Sequence, residues 1–137
     1  NGYPELVTDG DKEAGDSSVL ELHRELQWVQ IDLEAPAKIY AVVVWHAHDT
    51  PQVVHDVIVQ LADDADFTEN VRALYNNDYD NSAGLGVGKD KEYFENYEGR
   101  LVNGKGQQAR YVRLYSQGST YTALNRYTEV EVYGLAE

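Results

Sequence analysis

The stretch TDGDKEAGD, residues 8–16, sets carboxylates at Asp9, Asp11, Glu13 and Asp16 among two glycines. Hard cations such as Ca²⁺ take six to eight oxygens from carboxylates, backbone carbonyls and water, and irregular glycine-containing loops supply them easily. Asp9, Gly10 and Asp11 meet that demand, although the same cluster also reads as a solvated acidic turn. A second constellation is HAHD, residues 46–49. His46 and His48, one residue apart, project to the same side of a strand, a spacing that metal sites use. The third ligand is missing: His55 lies across a turn, and no glutamate stands at the offset such a site requires. A third is SQGSTYTALNRYTE, residues 116–129. Its tyrosines offer flat faces, and Asn125 and Arg126 offer planar polar groups. That pairing suits the C–H face and hydroxyls of a sugar, but it also suits a polar turn with Tyr127 packed as a plug. Finally, DYDNSAG, residues 78–84, begins as an EF-hand loop does. Its glycine comes one position late, and Lys89 stands where the closing glutamate belongs, so a second calcium there is left open.

These residues must be held by strands. Period-two patterning rich in β-branched and aromatic residues recurs in WVQIDL (28–33), KIYAVVVWHA (38–47), HDVIVQLA (55–62), ARYVRLYS (109–116) and YTEVEVYG (127–134). In DVIVQLA, Val57, Val59 and Leu61 share one face. In RYVRLYS, Val112 and Leu114 alternate with Tyr111, Arg113 and Tyr115, so each strand has a core face and a wet face. YAVVVWHA is apolar on both faces and reads as a central strand. SSVLELHREL is only weakly periodic and leaves room for a short helix. The glycine- and aromatic-bearing stretch 76–100 is a long irregular loop of the kind that carries function in compact domains. The pattern predicts an all-β fold in which residues 1–137 form a single domain, a β-sandwich with one decorated loop.

Composition narrows the partners. Twenty-four acidic against 11 basic side chains give a net charge of −13, which disfavours nucleic acid phosphates and anionic lipid and favours a cation. The chain has no cysteine, removing disulfides, thiolate metal sites and cysteine nucleophiles. No stretch is apolar for long enough to span a bilayer. Nor is there a Gly-x-Ser-x-Gly elbow, a P-loop or a dinucleotide fingerprint.

The order DGD, WVQIDL, a strand ending VVVW, RYVRLY and a terminal EVEVYG resembles the discoidin or coagulation factor five/eight type C domain, including the family 32 carbohydrate-binding modules. That resemblance implies a galactose-binding-like jelly roll of about eight antiparallel strands. It implies a structural calcium held by the side chains of Asp9 and Glu129 and by carbonyls of Leu6, Asp11, Ala14 and Thr128. KEAG replaces the serine or threonine that often follows the DG turn in the family, so the ligand from that position is backbone or missing. The resemblance also implies a sugar-binding end. A histidine at the exit of the central strand, His46 or His48, joins Tyr121, Asn125 and Arg126 there, with Asn77 and Tyr79 contributed by the long loop.

The expectation is therefore a non-catalytic carbohydrate-binding module with calcium as its cofactor and an oligo- or polysaccharide as its partner. It binds no nucleic acid, does not insert into membranes, is monomeric in isolation, and derives from a larger secreted or surface protein, extracellular and bacterial. One alternative is a small metal-dependent or acid/base carbohydrate-active enzyme using His48, Arg126 and a nearby tyrosine. The other is a protein- or lipid-binding discoidin domain, for which the loops lack exposed apolar tips with basic neighbours.

Overall fold

The computed structural model describes residue 8, residues 19–46, 52–91 and 99–136, and the backbone of 93–95. Eight strands run through these residues: β1 (Leu20–Arg24), β2 (Gln27–His46), β3 (Gln52–Val54), β4 (Ile58–Ala62), β5 (Arg72–Asn76), β6 (Tyr93–Glu95), β7 (Arg100–Ser116) and β8 (Leu124–Ala136). All pairings are antiparallel. Six strands form one sheet in the order β1-β8-β2-β7-β4-β5, and β3 pairs β6.

The predicted segments WVQIDL and KIYAVVVWHA are two halves of the single strand β2. Between them its pairing with β7 lapses, from Asp32 to Ala37. Glu34 adopts φ +72°, its N–H donates to Asp32 Oδ1 at 2.7 Å, and Pro36 has no N–H to give. The strand turns a corner there. Its first half pairs Tyr111–Ser116 of β7, and its second half lies between β8 and the opening of β7. Val29 and Ile31 from the first half meet Val42 and Val44 from the second in one core, which also holds Val59, Leu61, Val112, Leu114 and Val130. That is a sandwich made by bending long strands.

Two sequence expectations are corrected. SSVLELHREL is not helical where it is described: Leu20–Arg24 pairs with Leu124–Tyr127 of β8, and Leu20 and Leu22 alternate onto the core. Nor has β4 a wet face. All five of its residues are buried, because it lies between β7 and β5 and the following loop turns back over its outer side. There the Arg113 guanidinium sits 4.0 Å from the Trp28 ring centroid and 4.3 Å from that of Phe67. Arg113 also donates to the Ala65 carbonyl at 3.2 Å and to Gln30 Oε1 at 2.7 Å. The cation–π stack covers Gln60, its cross-strand neighbour.

Gly104 permits the close approach of β7 to the centre of β2. A Cβ there would stand 2.4 Å from the Ile39 carbonyl oxygen, in the strand backbone itself. Gly104→Ala is expected to destabilise the domain by about 2 kcal/mol, in the range of overpacked sites. For a chain of this length that lowers the melting temperature by roughly 6–10 °C. An unchanged thermal melt would show that β7 is free to shift.

Candidate functional site

One end of the sandwich is built by two segments laced to the strands beneath them. On one side, β3 and its exit are fastened to the 117–120 turn. The His55 N–H donates to the Gly118 carbonyl at 2.8 Å, the Gln117 N–H to the His55 carbonyl at 2.9 Å, and the Thr120 N–H to the Val53 carbonyl at 3.0 Å. Asp56 then turns the chain into β4 with φ +50°. On the other side, Asn77 ties the end of β5 to the start of β4: its Oδ1 accepts from the Val57 N–H at 2.7 Å, and its own N–H donates to the Val57 carbonyl at 3.2 Å.

The loop that follows, 78–91, is organised around Asp78, which is fully buried. Its carboxylate accepts the N–H groups of Ser82 at 3.1 Å and Ala83 at 2.8 Å. Asn76 and Asp90 close the loop, with the Asn76 N–H donating to Asp90 Oδ2 at 2.7 Å and the Asp90 N–H to the Asn76 carbonyl at 3.0 Å. Gly88 is required at this closure, because a Cβ would lie 2.3 Å from Asn76 Oδ1 and 2.4 Å from its carbonyl oxygen. Loop 78–91 is thus a built structure.

Between the two segments lies an open cleft of about 450 Å³, lined by Val53, Val54, His55 and Asp56 on one wall, Asn77, Tyr79 and Asp80 on the other, and Thr120. Its size falls in the range of small-ligand sites. Tyr79 gives its hydroxyl to the Asp90 carbonyl, which fixes a ring that remains 54% exposed. Tyr121, 55% exposed, follows the lining residue Thr120 in the chain. A fixed, exposed aromatic face beside carboxylate, imidazole and hydroxyl groups can take the C–H face of a ring and exchange hydrogen bonds with its hydroxyls.

Asp56, Asp78 and Asp80 bring one carboxylate oxygen each to within 4.8 Å of one another, an arrangement that could hold a metal ion. The Ser82 hydroxyl lies between two of them, 2.9 Å from Asp56 Oδ2 and 3.2 Å from Asp78 Oδ1. Burial lifts the Asp56 carboxyl above its ordinary pKa; the Ser82 hydrogen bond opposes that, and the charges of Asp78 and Asp80 add to it. The exposed Asp80 is held below its ordinary value, mainly by its Ser82 hydrogen bond.

The residues predicted from the sequence divide into three groups. Asn77 and Tyr79 line the cleft, and the exposed Tyr121 follows its lining residue Thr120 in the chain. His46, Asn125 and Arg126 are brought together elsewhere, around a void of about 10 Å³, scarcely room for one water. His46 is 3% exposed and its ring centroid lies 4.8 Å from that of Tyr127. Arg126 Nε is 3.5 Å from Glu21 Oε2. Asn125, 1% exposed, uses its amide group throughout: Nδ2 donates to the His23 and Glu25 carbonyls at 2.8 and 2.7 Å, and Oδ1 accepts from the Ser116 hydroxyl at 2.7 Å and the Gly118 N–H at 2.9 Å. The reason is position, since Asn125 opens β8 where that strand must be clamped to β1 and the 117–118 turn. His48, Leu6, Asp9, Asp11 and Ala14 lie outside the described residues. Of the metal set, Thr128 is fully buried and donates its hydroxyl to the His46 carbonyl at 3.1 Å, and Glu129 is 2% exposed.

Sequence reasoning missed Asp56 and Thr120, reached Asp80 only as part of the EF-hand-like stretch 78–84, and treated His55 only as a distant metal ligand. The signal for the first and last of these was the pair His55–Asp56 between two valine runs, which marks a strand entry facing the decorated loop.

No protein-family model matches the chain, and no curated protein matches it. Solved structures do. The family 89 glycoside hydrolase of Clostridium perfringens in complex with PUGNAc superposes with a TM-score of 0.72 at 15% identity over 96% of this chain, which spans only 12% of that one. CBM32 of AlyQ, in complex with 4,5-unsaturated mannuronic acid, gives 0.68 at 17% identity, covering 96% of this chain and 85% of that one. CBM32-1 from a family 31 glycoside hydrolase of Clostridium perfringens gives 0.69 at 15% identity, covering 96% and 84%. The chain accordingly has the galactose-binding-like β-sandwich fold that discoidin-type domains and family 32 carbohydrate-binding modules share.

Proposed function

We propose that this chain is a non-catalytic carbohydrate-binding module whose ligand sits in the Tyr79 cleft and whose role is to carry a larger secreted or cell-surface protein to a glycan. The observation that carries this reading is the Tyr79 ring, pinned through its hydroxyl yet half exposed beside His55, Asp56, Asp80 and Thr120. Neighbours of the same fold are described as modules binding fucose and pectin, or as solved with an unsaturated mannuronic acid, which supports a saccharide as the ligand class. In this site Tyr79, with Tyr121 next to Thr120 in the chain, supplies the aromatic face. His55, Asn77 and Thr120 supply hydrogen bonds, and Asp56 and Asp80 accept hydroxyl protons.

Calcium belongs to the same reading as a structural ion. Glu129, a buried carboxylate on the last strand, is the side chain that the family resemblance pairs with Asp9 as a cation ligand. Asp9, Leu6, Asp11, Ala14 and Thr128 would complete that set, and Asp56, Asp78 and Asp80 form a second candidate.

An open cleft removes only part of a sugar from water, and hydroxyls exchange water bonds for protein bonds at small net gain. Dissociation constants between micromolar and millimolar are therefore expected. Calorimetric titration against plant, algal and animal glycans tests the reading. Tyr79→Ala is expected to weaken binding at least tenfold, about 1.4 kcal/mol, while leaving the thermal melt nearly unchanged. Binding that survives Tyr79→Ala and His55→Ala together would place the ligand elsewhere, and turnover of a polysaccharide by the isolated domain would favour an enzyme.

A further inference from the structure

The opposite end of the sandwich carries another cleft. β4 starts beside the Tyr79 cleft and β5 ends there. Asp63, Asn70 and Arg72, at the far ends of these strands, are about 17 Å away at 3.3–3.4 Å per residue. They meet Pro36, Gln107, Gln108 and Arg110 from the corner where β2 and β7 bend, around a space of about 530 Å³.

Arg72 dominates this space chemically. Its Nε donates to Gln107 Oε1 at 2.7 Å, Nη1 to the Asn70 carbonyl at 2.6 Å, and Nη2 to the Gln108 carbonyl. All three acceptors are neutral. Arg110, on the same cleft, is held by the Asp32 carboxylate through bonds of 2.9 and 3.1 Å, and the ion pairs among the described residues do not include Arg72. A guanidinium carries five N–H donors in a rigid fork. Three are used, which leaves one on each terminal nitrogen. Gln107 turns its carbonyl oxygen to Arg72 and so keeps its –NH₂ as a further donor.

A pre-positioned guanidinium in direct ion contact with no carboxylate among the described residues, next to an amide donor, is chemistry for an anionic oxygen pair, since charge-assisted and bidentate N–H···O bonds are the strong ones. Around it, Asp63 and the Gln108 side chain can accept hydroxyl protons, and the Pro36 ring offers an apolar face. We propose that this cleft is a second ligand site, which takes the carboxylate of an acidic sugar residue on Arg72. The net charge of −13 opposes the approach of an anion, but at 0.15 M salt charges beyond about 8 Å are screened, whereas the Arg72 contact is not.

The test is a residue-resolved ¹⁵N–¹H titration of the 137-residue domain with sodium galacturonate, with galactose and sodium acetate at equal concentrations as controls. Galacturonate is expected to move the amides of Asn70–Arg72 and Gln107–Arg110 with a millimolar dissociation constant. Galactose and acetate should each bind there at least tenfold more weakly. Arg72→Gln should abolish the response, and Gln108→Glu, which leaves Arg72 in place and adds a negative charge, should weaken it at least fivefold. Should Arg72→Gln unfold, Gln108→Glu decides. Silence at these amides, an equal response to galactose or acetate, or undiminished binding by Gln108→Glu would each overturn the assignment. The amides of His55, Tyr79 and Thr120 report separately on the first cleft, so either site can fail alone.

Discussion

Truncation of Asn125 to alanine is expected to lower the melting temperature by about 10–15 °C, the largest effect of any single polar substitution at this end of the domain. Four hydrogen bonds converge on that amide, joining β1, the end of β7, the 117–118 turn and β8. The Ser116 hydroxyl that one of them engages also lies 2.9 Å from the Tyr127 hydroxyl, which donates onward to the Leu114 carbonyl at 3.1 Å. Tyr127 is fully buried, and that burial pushes its phenol pKa well up, the Ser116 hydrogen bond opposing it only in part. Removing the amide strands the buried Gly118 N–H and Ser116 hydroxyl and takes the donor from the part-buried His23 and Glu25 carbonyls. At about 1–3 kcal/mol per stranded buried group, a total near 3–4 kcal/mol is expected. That is a large share of a typical stability of about 5–15 kcal/mol. Thermal denaturation followed by dichroism reads it directly. A melt within 2–3 °C of the parent, together with loss of glycan binding, would show that Asn125 serves the ligand after all.

Calcium should produce the second large shift. An ion that binds only the folded chain stabilises it by about 2.7 kcal/mol at one hundred times its dissociation constant. For this chain length that raises the melting temperature by roughly 8–12 °C, and a chelator should reverse it. The two candidate sites separate by substitution. If Glu129 holds the ion with Asp9, Glu129→Gln or Asp9→Ala removes the shift and Asp80→Asn leaves it. If Asp56, Asp78 and Asp80 hold an ion, Asp80→Asn removes it. In that case the shift should also grow as pH rises through the raised Asp56 pKa, because a protonated carboxyl must lose its proton to ligate. Identical melts in millimolar calcium and in excess chelator would refute both.

The strand pattern was legible because alternating apolar residues on long strands leave little choice: Val112 and Leu114, or Val42 and Val44, can face only a core. Short strands were not, since three residues at Gln52–Val54 or five at Leu20–Arg24 carry too few periods to distinguish. The corner at Glu34–Pro36 made one strand look like two. β4 misled for a different reason, because its second face is covered by a loop whose Phe67 stacks on Arg113 of the neighbouring strand β7, a contact no local pattern records. Asn77 and Tyr79, read from the character of the long loop, line the cleft between that loop and the 53–56 segment. The emphasis on His46, Asn125 and Arg126 followed residue type, and residue type cannot tell an amide that meets a ligand from one spent on fastening its own loop. What decides is the direction of neighbouring backbone groups, here the carbonyls of His23 and Glu25, and that is set by tertiary structure.

A crystal structure of the domain grown with the oligosaccharide that titrates most tightly tests the glycan-binding account most directly. A sugar ring is expected on the exposed face of Tyr79, its hydroxyls within about 2.6–3.2 Å of His55, Thr120 and the Asp56 or Asp80 carboxylates, with Asn125 still bonded to His23 and Glu25. A saccharide found on Arg126 and His46 with the 117–125 loop opened, and no density at Tyr79, would contradict it.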